Sequence, residues 1–325
     1  MSRVRFAVVP IVPVLLLASF LVPAALGDDA WYTNFESAQE KAKAEKKILL
    51  VAFTGYDWCP WCKKLNAEVL KEEKFLTAAH KQFVLVNVDF PRSKKLAQTL
   101  QEQNNRLAKK YKVEYFPTVM LMNANGEFMA RTGYAEGGPK KYLGQLDDLL
   151  KTYQEANKLR ARLPTAKGLA RAKLLDQLIE INRELGNELA PYAAWRKEIV
   201  VLDAANTAGL KHKYQFAVYL DDAQKALAVS KPAVAEEIID KALALPQLAP
   251  KQIQRAALVK GNCCLALKQY RAGLACMRKA LNAAPKGENA QALEKLIART
   301  EKQLEKEEQP ADEQQTAQGS SSKGT

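Results

Sequence analysis

Residues 57–62 read Asp57-Trp58-Cys59-Pro60-Trp61-Cys62. Two cysteines three apart serve as a structural disulfide, as half of a zinc site, or as a working dithiol, and the flanking residues decide between them. Upstream, ILLVAFTG (48–55) is a short, continuous apolar run that suits a buried strand. Downstream, KKLNAEVL (63–70) sets Leu65, Val69 and Leu70 near one helical face. The pair therefore stands where a strand hands over to a helix. A staple across so short a loop removes little chain entropy and stabilises weakly. Structural zinc takes four ligands, usually as two spaced pairs. The other cysteines (Cys263, Cys264, Cys276) and the two histidines (His80, His212) supply no second pair of that spacing. No metal is expected, and the working dithiol is the reading that survives.

Working outward, Trp31 to about Tyr153 alternates helix and strand. NFESAQEKAKAEKK (34–47) is a polar-faced helix with Asn34 available as its N-cap. FVLVNVDF (83–90) is a second buried strand, and SKKLAQTLQEQNNRLAKKY (93–111) a helix with apolar Leu96, Leu100, Leu107 and Tyr111. TVMLMNANGEFMARTGY (118–134) reads as a hairpin turning at Asn125-Gly126. GGPKKYLGQLDDLLKTY (137–153) closes the unit as a helix with Pro139 near its start. That order calls for a mixed central sheet with helices on both faces.

A buried strand delivering Trp58-Cys59-Pro60-Trp61-Cys62-Lys63 to a helix, with Tyr115-Phe116-Pro117-Thr118 before a hairpin, resembles the thioredoxin superfamily. The likeness is nearest to secreted bacterial thioredoxin-like domains with a Gly-x-Asp-Trp-Cys strand exit, and it covers about 120 of 325 residues. It implies thiol–disulfide exchange with Cys59 attacking and Cys62 resolving. It also implies a cis Pro117 lying against the dithiol, with Trp58, Pro60, Trp61, Phe116 and Thr118 shaping a substrate groove. No cofactor is implied, since the cysteine pair is itself the redox group. The residues agree with this chemistry. In the first turn of a helix Cys59 faces unpaired N–H groups, which favour the thiolate that carries out exchange. Pro60 suits that turn because its missing N–H costs little there.

Two departures stand out. Phe116 occupies a position where many members of the superfamily carry a small or β-branched residue. Ala52 falls where thioredoxins proper often bury a carboxylate that moves a proton to or from the second cysteine. Proton transfer must therefore use water or another group, or be slower.

The chain opens MSRVR and runs without a charge to Asp28, with small residues at Ala25 and Gly27. This reads as a secretory signal over residues 1–27, cut after Gly27; the competing reading is an uncleaved anchor. The expected location is periplasmic or secreted, where disulfides persist. The formal charge of +13 falls by two to +11 without Arg3 and Arg5. The lysines are interspersed with glutamates and form no aromatic-interleaved block, so nucleic acid is not an expected partner. Membrane contact is expected at most through an uncleaved N-terminal segment.

Beyond Tyr153 strand-like runs vanish and alanine- and leucine-rich helices follow one another. AVAEEIIDKALALP and GLACMRKALNAAP share a small residue, a bulky one four later, then Lys-Ala-Leu and a proline. Gly261, Tyr270, Gly273, Met277, Ala280 and Pro285 resemble one tetratricopeptide repeat, without the large aromatic and Leu-Gly that usually open it. The expected organisation is a thioredoxin-like domain (28–153), an all-α helical-hairpin domain (154–304) and a polar, disordered tail (305–325). Cys263, Cys264 and Cys276 read as small hydrophobes between helices, with a bridge from one of the adjacent pair to Cys276 as the alternative. The leading functional expectation is an extracytoplasmic thiol–disulfide oxidoreductase acting on protein thiols and disulfides. The alternative is a scaffold or adaptor whose helical array docks a partner protein, with a secondary redox role.

Overall fold

Strand β1 (Ile48–Thr54) is the spine of the first half, and its apolar run is buried on both faces. It pairs in parallel with β2 (Phe83–Asp89) and antiparallel with β3 (Thr118–Met122), which pairs antiparallel with β4 (Phe128–Thr132). The sheet order is β2-β1-β3-β4. The computed structural model describes residues 31–286 and 290–308, so the expected signal segment 1–27 lies outside the described residues. Among the described residues no helix is long and apolar enough to cross a membrane.

Strand periodicity sorts side chains between two cores. Leu49, Val51 and Phe53 pack with Val84, Val86 and Val88 under α1 (Phe35–Glu45) and α4 (Gln98–Lys110). Leu50 and Ala52 face the other way, toward α2 (Pro60–Leu65), α3 (Glu73–Gln82) and α5 (Gly138–Arg162). Helix α1 is capped as expected: Asn34 Oδ1 accepts the Ser37 N–H at 2.8 Å. The Asn125-Gly126 turn also forms, with Gly126 at φ 75° and its carbonyl accepting from the Tyr111 hydroxyl at 2.6 Å.

Three local features differ from the sequence reading. Between β1 and β2 the chain forms a second helix, α3, whose Phe75 and Ala79 enter the core. Helix α2 passes into a π turn at Asn66–Leu70, which re-aims the chain toward α3. The helix expected from Ser93 starts only at Gln98, because residues 91–97 form a loop tied to Asp57.

The second half is an all-α array: α6 (Gly168–Glu184), α7 (Tyr192–Leu202), α8 (Leu210–Ala228), α9 (Pro232–Leu243), α10 (Pro250–Ala266), α11 (Tyr270–Ala283) and α12 (Ala290–Glu308). Gly261 and Gly273 let α10 and α11 meet closely: a Cβ on either would sit 3.4 Å from the other's carbonyl oxygen. Residues 305–308, expected in the disordered tail, belong to α12, and residues 309–325 lie outside the described residues.

The expected boundary at Tyr153 falls inside α5, which continues unbroken to Arg162. Ala156, Leu185 and Ile181 pack into the same core as Leu50 and Ala52. The Arg131 N–H of β4 donates to Leu185 O at 2.8 Å, and its buried guanidinium reaches Tyr111 O and Glu188. The last turn of α6 and the turn that follows it thus complete one edge of the sheet.

Candidate active site

Cys59 caps α2 in extended conformation, with Pro60 at the first helical position. Its Sγ accepts the Cys62 N–H at 3.2 Å and lies 3.6 Å from Phe116 O. Cys59 is 4% exposed and Cys62 fully buried. Burial, followed by the neighbouring Cys59 sulfur, pushes the Cys62 thiol up to about 12. The two cysteines therefore differ: Cys59 keeps slight exposure and its Sγ accepts the Cys62 N–H, whereas Cys62 is sealed and its thiol is pushed up.

The Phe116–Pro117 peptide is cis, as the resemblance implies, and Pro117 is buried beside the dithiol. Phe116 meets Trp58 edge-on at 5.6 Å and Phe90 at 5.3 Å, so three aromatics form one wall. The Trp58 indole N–H donates to Phe90 O at 2.8 Å. Gly55 leaves room for that ring: a Cβ there would fall 2.4 Å from the indole. Trp61 is 53% exposed and faces away, tilted on Tyr134 at 5.4 Å with Lys64 Nζ 5.3 Å from its ring. The Tyr134 hydroxyl donates to Glu68 Oε2 at 2.6 Å, which holds its titration up at about 12. Thr118 turns inward: its hydroxyl donates to Tyr115 O at 2.8 Å, so it braces the proline loop and does not line the groove with its side chain.

The structure brings Trp58, Cys59, Cys62, Phe116 and Pro117 together, and sequence reading missed several of their neighbours. Tyr134, Phe90 and Arg92 come from distant segments, and no local spacing links them to the cysteines. Asp57 lay inside the quoted stretch and was passed over. Its Oδ2 accepts the Arg92 and Ser93 N–H groups at 2.7 and 2.5 Å. Hydrogen bonding from the Ser93 side chain foremost, and then from these backbone groups, holds its carboxyl down at about 2.

Beneath the dithiol lies a polar cluster. Thr54 Oγ1 donates to Asp89 Oδ1 at 2.9 Å, and the Tyr56 N–H donates to the same oxygen at 3.1 Å. Tyr56 titrates well above its ordinary range, through burial first, with smaller contributions from Asp89 and Cys62. Ala52 itself is apolar and buried, and the charged group nearest in role sits on β2.

Residues 35–150 match the thioredoxin-like domain family. The disulfide bond reductase DsbH of Chlamydia pneumoniae is 32% identical over 129 residues, covering 40% of this chain and 77% of that protein. The chain belongs to the thioredoxin-like family. The thioredoxin-related protein DsbJ of the same organism is 27% identical over 144 residues, covering 44% of this chain but only 41% of DsbJ. Among solved structures, a DsbH oxidoreductase aligns at 32% identity over 37% of this chain and 83% of its own, with TM-score 0.36. A thioredoxin from Thermus thermophilus aligns at 20% identity over 37% and 85%, with TM-score 0.29. Within this family the chain is a thiol–disulfide oxidoreductase. Among the described residues no cluster of three or more histidine, cysteine or acidic side chains offers a metal site.

Cys263, Cys264 and Cys276 are free thiols in α10 and α11. Burial raises Cys263 to about 11 and Cys264 to about 12, so neither presents a thiolate at neutral pH.

Proposed function

We propose that Cys59 and Cys62 are the dithiol of this oxidoreductase and that its substrates are extracytoplasmic protein disulfides. The observation that carries the reading is the asymmetry of the pair: the Cys62 N–H supports negative charge on Cys59 Sγ at 3.2 Å, while Cys62 stays buried and protonated. The Cys59 thiolate attacks one sulfur of a substrate disulfide, a mixed disulfide forms, and the other substrate sulfur leaves as thiolate. Cys62 then loses its proton and attacks Cys59 Sγ. The mixed disulfide breaks, the second substrate thiol departs, and two electrons have passed from the dithiol to the substrate. Similarity to a protein named a disulfide bond reductase supports reduction as the direction. The uncharged N-terminal stretch supports the extracytoplasmic location.

Trapping tests the assignment. Cys62→Ser in the full chain accumulates mixed disulfides through Cys59, visible on non-reducing gels, and Cys59→Ser abolishes turnover of a small disulfide. Turnover that survives Cys59→Ser, or trapping through another cysteine, defeats the proposal.

A second role is supported by the helical array, which leaves Val201, Val229 and Val234 exposed on or beside α7, α8 and α9. In this reading the array of tetratricopeptide-like hairpins docks a protein partner. Partner capture that persists in the Cys59→Ser protein supports it, and capture that vanishes with the thiol counts against it.

A further inference from the structure

The loop at residues 91–97 occupies the rim of the groove without belonging to the dithiol machinery. It carries Arg92, Lys94 and Lys95 and no carboxylate. Both lysines are exposed, and neither forms an ion pair with another described residue. The Arg92 guanidinium lies 4.0 Å from the centroid of the Trp58 ring. Trp58 immediately precedes Cys59 in the chain and packs against Phe116, whose carbonyl lies 3.6 Å from the Cys59 sulfur, so this cation belongs to the same rim.

The loop is also held in place. Two backbone N–H groups bind Asp57, the Trp58 indole is anchored to Phe90 O, and Asn104 Nδ2 donates to Asp89 O at 2.9 Å. Behind it opens a cleft of about 400 Å³ whose lining includes Arg92, Lys94, Lys95, Asn104 and Asn105 and no acidic side chain. Asp57, beside the loop, has its Oδ2 committed to the loop backbone. A fixed concave wall with cations of one sign attracts opposite charge and raises encounter rates, an effect that salt weakens.

We infer that the 91–97 loop is a docking wall for acidic residues flanking the disulfide of a polypeptide substrate. The inference rests on the dithiol reading above and adds the substrate's charge to it. A carboxylate two to five residues from the reactive cysteine meets Arg92 across the Trp58 face and the two lysines beyond, while a basic flank is repelled.

Three disulfide-bridged peptides that differ only in their flanks (glutamate, serine or lysine) test this with the full chain. The glutamate peptide is expected to exceed the lysine peptide by about tenfold in kcat/KM at low salt, with the ratio shrinking toward one at high salt. In a Lys94→Glu/Lys95→Glu double variant the ratio is expected to fall to about one or invert. Equal rates on the two charged peptides in the wild-type protein overturn the inference, as does a preference unchanged in the double variant. Failure to turn over the serine peptide overturns the dithiol reading itself, so the two failures are distinguishable.

Discussion

Thr54 Oγ1 and Asp89 Oδ1 lie 2.9 Å apart, paired across the ends of β1 and β2 on the sheet face that also carries Ala52. Strand alternation explains the placement: Phe83 and Leu85 of β2 enter the core beneath α2 and α3, so Asn87 and Asp89 follow them onto that face. A carboxylate missing from β1 is thus supplied by its neighbour. It interacts electrostatically with Cys62, whose proton must leave before the mixed disulfide can resolve.

Asp89→Asn is therefore expected to produce two effects of opposite sign. Removing a negative charge lowers the Cys62 titration, so alkylation of Cys62 in a Cys59→Ser background becomes faster. If Asp89 relays the Cys62 proton, its loss slows resolution of a preformed mixed disulfide by about tenfold near neutral pH, a gap that narrows as pH rises toward the Cys62 value of about 12. Stopped-flow resolution across pH checks this. Uniform slowing at every pH would mark Asp89 as merely structural.

Asp57 links the dithiol turn to the basic loop, and its charge state governs that link. A carboxyl held at about 2, below its ordinary 3.8, contributes stability that is complete above 3.8 and lost as pH falls toward 2. Asp57→Asn is expected to raise hydrogen exchange at the Arg92 and Ser93 amides at neutral pH. The wild-type loop should show the same loosening only in acid. Unchanged protection in the variant would mean the loop is held by its other contacts.

Truncation tests where the first half ends. A fragment from Asp28 to Lys158 loses Ile181, Leu185 and the carbonyl partner of the Arg131 N–H. One buried leucine is worth about 2 kcal/mol, so this fragment is expected to be less stable by at least that amount than one ending at Ala190. The longer fragment should retain turnover of a small disulfide. Equal denaturant midpoints would restore Tyr153 as the working boundary.

Much of this architecture was legible because its signals are local. Continuous apolar runs announced β1 and β2, Asn125-Gly126 announced the hairpin, and Asn34 marked the start of α1. Helix α3 was missed although Phe75, Leu76 and Ala79 repeat at helical spacing, because its ten residues follow directly on another apolar-faced segment. The late start of α4 was not readable at all: residues 93–97 have helix-compatible composition, but the Arg92 and Ser93 N–H groups are bound to Asp57 in a loop.

By itself the sequence determined the pair of cysteines and the strand that presents them, because strand and helix periods are properties of neighbouring residues; the cis proline opposite was implied only by the resemblance to thioredoxins. Tertiary structure decided everything that depends on two distant segments meeting. Asp89 comes under Cys62 through the parallel register of β1 and β2, Arg92 reaches Trp58 through the Asp57 tether, and Leu185 closes the core from beyond the expected boundary. Such contacts depend on register and on the path of the chain between elements. No short window of residues encodes either, since the same alternating pattern permits several registers until the packed faces select one.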